Sequence, residues 1–160
     1  MTENLPLAEQ LAQQLRRHKW RMISVESCTG GGIGAALTDL SGSSDWYEGG
    51  WITYSNALKQ QLGVPSSLLA EHGAVSEPVA RAMVAAGAQA AGVECGVAVT
   101  GVAGPSGGSI EKPVGTVWIA WILPGQEWAQ RFLFSGDRNA VRKQTIDAAI
   151  QGLLSALPDH

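Results

Sequence analysis

Cys95-Gly96-Val97-Ala98-Val99-Thr100-Gly101-Val102-Ala103-Gly104-Pro105-Ser106-Gly107-Gly108-Ser109 changes character at its fifth residue. Cys95 to Val99 is an unbroken apolar run, the pattern of a strand buried on both faces. From Thr100 to Ser109, four glycines and a proline leave little side-chain bulk where that strand ends. Glycine admits φ > 0 and lets main chain approach a ligand closely. Open α/β sheets place their ligands outside the carboxyl ends of their strands. The stretch therefore reads as a central strand followed by a loop that holds something small and polar.

The same pattern recurs upstream. Arg21-Met22-Ile23-Ser24-Val25 reads as a strand that enters Glu26-Ser27-Cys28-Thr29-Gly30-Gly31-Gly32, and Ile33-Gly34-Ala35-Ala36-Leu37 continues as a small-residue helix. Strand, glycine turn and helix together present main-chain N–H groups and a positive dipole end to an anion. Ahead of them, Asn4 is a candidate cap for a helix striped with Leu7, Leu11 and Leu15. Gly49-Gly50-Trp51-Ile52-Thr53-Tyr54 reads as a second strand, and Ser55 caps a short helix through Leu62 that Gly63 and Pro65 stop. Ser76-Glu77-Pro78 opens an alanine-rich helix reaching Gly92. Gly115–Ile122 and Trp128–Phe134 flank the turn signal Pro124-Gly125 and read as a hairpin. Asp137 caps a last helix whose apolar side carries Val141, Ile146, Ala149, Ile150, Leu153 and Leu154. After the leading helix the order is β-α-β-α-α-β-β-β-α, which implies an α/β domain with a mixed sheet and helices on its faces.

Composition narrows the class. With 160 residues, 45% hydrophobic and 16% charged, the chain can bury the core of one domain. A net charge of −3 with no basic cluster argues against a nucleic-acid partner. The densest basic run, Arg16-Arg17-His18-Lys19, suits a helix C-terminus. Cys28 and Cys95 are too few for a disulfide framework and lack metal-ligand spacing. The opening MTENLPLAEQLAQQL has neither the basic nor the apolar region of a signal peptide. No apolar run approaches the roughly 20 residues of a membrane span. The expectation is a cytoplasmic protein with no membrane or nucleic-acid partner.

Several familiar chemistries find no residues. His18, His72 and His160 all fall outside the glycine-rich segments, which leaves a Ser-His-Asp arrangement unsupported. Gly30-Gly31-Gly32-Ile33-Gly34 lacks dinucleotide-fingerprint spacing, and the lysine of a phosphate-binding P-loop is missing. What remains are hydroxyls, a lysine and glycine turns. Gly42-Ser43-Ser44, Tyr54 and Lys59 supply a serine, a tyrosine and a lysine; a lysine kept neutral by burial can serve as a serine's base. Solvated Lys59 and packed Tyr54 compete with that reading on spacing alone. Ser27 and Cys28 are rival nucleophiles on the first glycine turn, against a Cys28 that is simply buried. Glu26 either orients a substrate or starts the helix. Arg138 and Arg142, four apart, either clamp a phosphate or pair with acidic neighbours in solvent. Trp46 and Trp51 either pack or wall an aromatic ligand.

With these residues in place, the chain resembles the C-terminal domain of the CinA family, most closely the stand-alone nicotinamide-nucleotide amidases of that family. The likeness runs from about Leu7 to Leu157 and rests on Glu26–Gly31, Gly42–Ser44, Thr53–Asn56, Lys59, Gly73–Ser76, Thr100–Pro105, Lys112–Val117 and Gly136–Arg138. Ser106 departs from it, standing where glycine is common. The resemblance implies one three-layer α/β/α domain over 1–160, with a mixed sheet, and a homodimer. It also implies hydrolysis of nicotinamide mononucleotide to nicotinic acid mononucleotide and ammonia, with no cofactor and no metal. Carried over by motif, the nucleophile falls on Ser44, its base on Lys59 and the assisting tyrosine on Tyr54. Ser27, Thr29, Gly30, Thr100 and Gly101 would line the substrate site, and Arg142 would lie near the phosphate. The alternative is a non-catalytic nucleotide-binding or regulatory domain that keeps the site without the chemistry.

Overall fold

A computed structural model describes residues 6–159; the cap expected at Asn4 and the terminal His160 lie outside them. A five-stranded sheet in the order β2-β1-β3-β4-β5 organises the chain. Its strands are β1 (Met22–Glu26), β2 (Tyr47–Ile52), β3 (Cys95–Gly101), β4 (Thr116–Leu123) and β5 (Gln126–Leu133). β1 lies parallel to both β2 and β3, whereas β3-β4 and β4-β5 pair antiparallel, so the sheet is mixed as the element order implies. Every residue of β1 and the first six of β3 are buried, as continuous apolar runs between helical layers require.

Helices cover both faces. Leu11 and Leu15 of α1 (Leu7–His18), Ile33 and Leu37 of α2 (Gly32–Thr38), and Val141, Ala149 and Leu153 of α6 (Arg138–Ala156) form one core with Val97, Val99, Ile119 and Trp121 of the sheet. On the opposite face, Val79, Ala80, Met83 and Val84 of α5 (Glu77–Ala91) pack with Ile23, Val25, Ala98 and Ala120. Val64 and Leu69 join that core from the end of α3 (Asn56–Leu62) and from α4 (Ser66–His72). The result is a three-layer α/β/α architecture. No helix among the described residues is long and apolar enough to cross a membrane.

Two local differences from the sequence reading have clear causes. α4 was not anticipated: Pro65, read as a stop, instead supplies the extended residue that precedes a new helix. β2 runs from Tyr47 to Ile52 rather than from Gly49 to Tyr54, so Thr53 and Tyr54 lie just past its end. Parallel pairing puts the carboxyl ends of β2, β1 and β3 on one edge of the sheet, and Ser27, Tyr54 and Thr100 arrive there together.

Candidate active site

At that edge, the turn Ser27-Cys28-Thr29-Gly30-Gly31 connects β1 to α2. Glu26, 3% exposed, points its carboxylate into the first turn of the helix. There it accepts N–H bonds from Gly31 (3.2 Å), Ile33 (2.9 Å) and Gly34 (3.0 Å), and the Thr29 hydroxyl at 2.5 Å. Glu26 is therefore the helix-starting carboxylate of the two alternatives, an anion held by otherwise unpartnered amides. The second support comes from α6: Arg142 donates from Nε to the Cys28 carbonyl (3.2 Å) and from Nη2 to the Thr29 carbonyl (3.0 Å). Gly30 has φ +57°, a left-handed conformation that residues with a side chain rarely adopt, so glycine keeps the turn unstrained beside that guanidinium.

Into this fixed turn reaches Lys59 from α3. The side chain is 1% exposed, and Nζ donates to Ser27 Oγ at 3.0 Å, to the Thr53 carbonyl at 2.8 Å and to the Tyr54 carbonyl at 3.2 Å. Burial lowers the Lys59 pKa from its ordinary value, because desolvation penalises the ammonium, and no carboxylate among the described residues bonds to it. A neutral amine has two N–H groups and one lone pair. The two carbonyls can only accept, and the serine hydroxyl alone can donate. Ser27 Oγ also lies 3.5 Å from the Tyr54 carbonyl, its other acceptor; a Lys59 in the neutral form would offer its lone pair to the same hydroxyl, the pairing through which a base activates a serine.

The rival thiol is disfavoured by the same burial. Desolvation pushes Cys28 up to about 12, so its thiolate is scarce near neutral pH. Cys95, in the middle of the sheet, is likewise pushed up to about 12.

Ser44 stands elsewhere. It lies in a single 3-10 turn, Ser43–Asp45, before β2, is exposed, and its carbonyl accepts from Arg21 Nη1 at 2.9 Å. Lys59 and Tyr54 follow the other end of β2, whose six residues separate the two groups by about 20 Å at ~3.3 Å per residue. Ser44 therefore makes no contact with the lysine, and the serine that Lys59 does contact is Ser27. Tyr54 is 59% exposed; its carbonyl holds Lys59, and its hydroxyl accepts from Arg138 Nη2 at 3.2 Å.

A cavity of about 190 Å³ opens on this group, lined by Ser27, Tyr54, Lys59, Thr100, Gly101 and Arg138 among others. Thr100 helps shape it by donating its hydroxyl to the Ala74 carbonyl at 3.0 Å, which ties the Gly73–Ser76 loop to the end of β3. Thr29 and Gly30 do not line this cavity; Thr29 is fully buried against Glu26, and Gly30 faces Arg142. Trp46 is fully buried in one core, and Trp51 packs against the other, so neither walls it. Asn56 and the Ala74-Val75 segment also line it; both fall in motifs that carry the family resemblance, Thr53–Asn56 and Gly73–Ser76, but were given no site role from the sequence. Chain order held the signal for Ser27 all the same: it directly follows one parallel strand, Lys59 follows the next, and such ends share an edge.

The profile of the CinA C-terminal domain matches residues 4–157. A nicotinamide-nucleotide amidohydrolase PncC from Pseudomonas putida is 53% identical over 149 residues, covering 92% of this chain and 93% of its own. The protein of the same name from Escherichia coli K12 is 47% identical over 154 residues, covering 95% and 93%. A crystal structure of a competence-damaged protein (CinA) superfamily member from Klebsiella pneumoniae 700603 superposes with a TM-score of 0.91 at 38% identity, covering 94% of this chain and 95% of that one. Strand order, the Ser27–Lys59 edge and these similarities converge, and the chain belongs to the CinA C-terminal domain family.

Proposed function

We propose that this protein is a nicotinamide-nucleotide amidohydrolase, converting nicotinamide mononucleotide and water to nicotinic acid mononucleotide and ammonia, with Ser27 as nucleophile and Lys59 as base. The observation that carries this reading is the 3.0 Å contact between Lys59 Nζ and Ser27 Oγ at the wall of the cavity. Relatives of that name at 47–53% identity supply the substrate class.

The chemistry follows from the geometry. Neutral Lys59 takes the Ser27 proton as Oγ attacks the carboxamide carbon, and the carbonyl oxygen gains the negative charge. We assign its stabilisation to the main-chain N–H of Cys28, because the residue after a nucleophile supplies that donor in hydrolases with a strand-turn-helix serine. The Lys59 ammonium then returns its proton to the departing nitrogen, which leaves as ammonia. Water, deprotonated by the same amine, attacks the acyl–Ser27 ester; the C–Oγ bond breaks, the Lys59 ammonium returns its proton to Ser27 Oγ, and the acid leaves as its carboxylate after losing a proton to solvent. Tyr54 contributes through its carbonyl, which orients Lys59, and through its ring at the cavity wall. Action as a cytoplasmic homodimer in pyridine nucleotide salvage belongs to the same proposal.

Incubation of the purified protein with nicotinamide mononucleotide tests it. The expected result is ammonia and nicotinic acid mononucleotide in equal amounts. Calorimetric binding of the mononucleotide without ammonia over hours would identify a non-catalytic nucleotide-binding domain instead.

A further inference from the structure

The two arginines at the start of α6 have different occupations. Arg142 is half-buried, and its guanidinium is engaged by the carbonyls of Cys28 and Thr29, so it lines neither the catalytic cavity nor its neighbour. Arg138 is exposed. It donates from Nη1 to the Gly104 carbonyl at 2.8 Å and from Nη2 to the Tyr54 hydroxyl at 3.2 Å, which fixes its head between the loop after β3 and the cavity wall. A guanidinium offers five N–H donors, so these two bonds leave others free for an anion.

At about 190 Å³ the catalytic cavity is smaller than the roughly 300–1,000 Å³ of typical small-molecule sites. It can take a carboxamide-bearing ring, while the rest of a nucleotide must lie outside. A second cavity of about 560 Å³ shares Ala103 and Arg138 with it and is completed by Pro105, Val114, Asp137 and Asn139 with Gly136. Among the described residues, Arg138 is the only cationic side chain lining this larger space. Its one carboxylate, Asp137, has Oδ1 engaged by the Ala140 N–H at 2.9 Å as the cap of α6.

We infer that Arg138, rather than Arg142, binds the anionic end of the substrate, a phosphate monoester carried on the sugar in the larger cavity, and thereby sets preference for a nucleotide over its nucleoside. Arg142 is a positioning residue for the nucleophile's turn. This inference rests on the amidohydrolase reading for its substrate, but not for its chemistry: any ligand with the same ring, sugar and phosphate would meet the same guanidinium.

The test compares nicotinamide mononucleotide with nicotinamide riboside as substrates for wild type, Arg138→Ala, Arg138→Lys and Arg142→Ala. In Arg138→Ala the nucleotide-to-nucleoside ratio of kcat/KM is expected to fall about 10- to 100-fold, mainly through KM for the nucleotide, the size of a lost charge-assisted hydrogen-bond pair. Arg138→Lys keeps the charge without the fork and falls in between. Arg142→Ala lowers kcat on both substrates and keeps the ratio. A ratio unmoved by Arg138→Ala, or moved by Arg142→Ala alone, overturns the inference. Calorimetry with nicotinic acid mononucleotide and its riboside reads anion binding without turnover. If wild type releases no ammonia, the amidohydrolase reading fails, and selective loss of mononucleotide binding in Arg138→Ala still sustains the inference. Equal loss of both ligands, or no mononucleotide binding by wild type, overturns it.

Discussion

In the proposed mechanism, Lys59 carries the proton chemistry in one side chain. An amine buried without a carboxylate partner is held toward its neutral form, and its pKa lies below the ordinary 10.5. Because the base must be neutral, kcat/KM for the amide should rise with pH and reach half its plateau below 10.5. Folding stability should move in the same direction. Between the depressed folded value and the ordinary unfolded one, the unfolded chain binds the extra proton, so stability increases with pH across that window. Lys59→Met should abolish turnover and flatten this rise in a Tm-against-pH series relative to wild type. A wild-type midpoint at or above 10.5, or an unchanged Tm slope in the variant, would contradict the neutral-base assignment. Much of this was legible in the sequence as residue types: a serine, a tyrosine and a lysine near glycine turns. Partnership was not. Motif likeness places the nucleophile on Ser44; the proposal of Ser27 rests instead on which end of β2 each residue flanks.

Among the elements, α6 does two jobs. Its first turns supply Arg138 and Arg142 to the site, and its later turns anchor it to the sheet. Anchoring depends on Gly152, where a Cβ would lie 2.2 Å from Trp121 Cζ2. The indole is locked by its Nε1 donating to the Ala149 carbonyl at 2.9 Å, so it cannot easily withdraw. Gly152→Ala should therefore destabilise the protein by about 1–3 kcal/mol through overpacking, outweighing the gain of about 1 kcal/mol in helix propensity. Equilibrium denaturation in urea measures this, and a variant as stable as wild type would show that helix and sheet can part without cost. The long helices were readable because apolar residues recur along them and because Ser76-Glu77-Pro78 and Asp137 mark their starts; Asp137 accepts the Ala140 N–H, whereas the Ser76 hydroxyl donates to the Gly73 carbonyl. α4 was not: seven residues with Leu68 and Leu69 as its large apolar side chains give no period to detect.

For the molecule as a whole, the strand order brings the site together. Parallel β2, β1 and β3 deliver Tyr54, Ser27 and Thr100 to one edge, and the antiparallel β4-β5 hairpin extends the sheet away from it. The end of β3 was legible because four glycines follow an apolar run, and Thr100, Gly101 and Ala103 line the cavity there. Which side chains meet there was not, since Lys59 and Ser27 are 32 positions apart in sequence. The central claim is that Ser27, paired with Lys59 at this edge, attacks the carboxamide. Ammonia release from nicotinamide mononucleotide by Ser27→Ala and Ser44→Ala, each with Tm checked against wild type, tests it most directly. The account predicts a loss of at least about 1,000-fold in kcat for Ser27→Ala, as expected when an enzyme loses its nucleophile, and near wild-type kcat for Ser44→Ala. Loss of turnover in Ser44→Ala with activity retained in Ser27→Ala would contradict it.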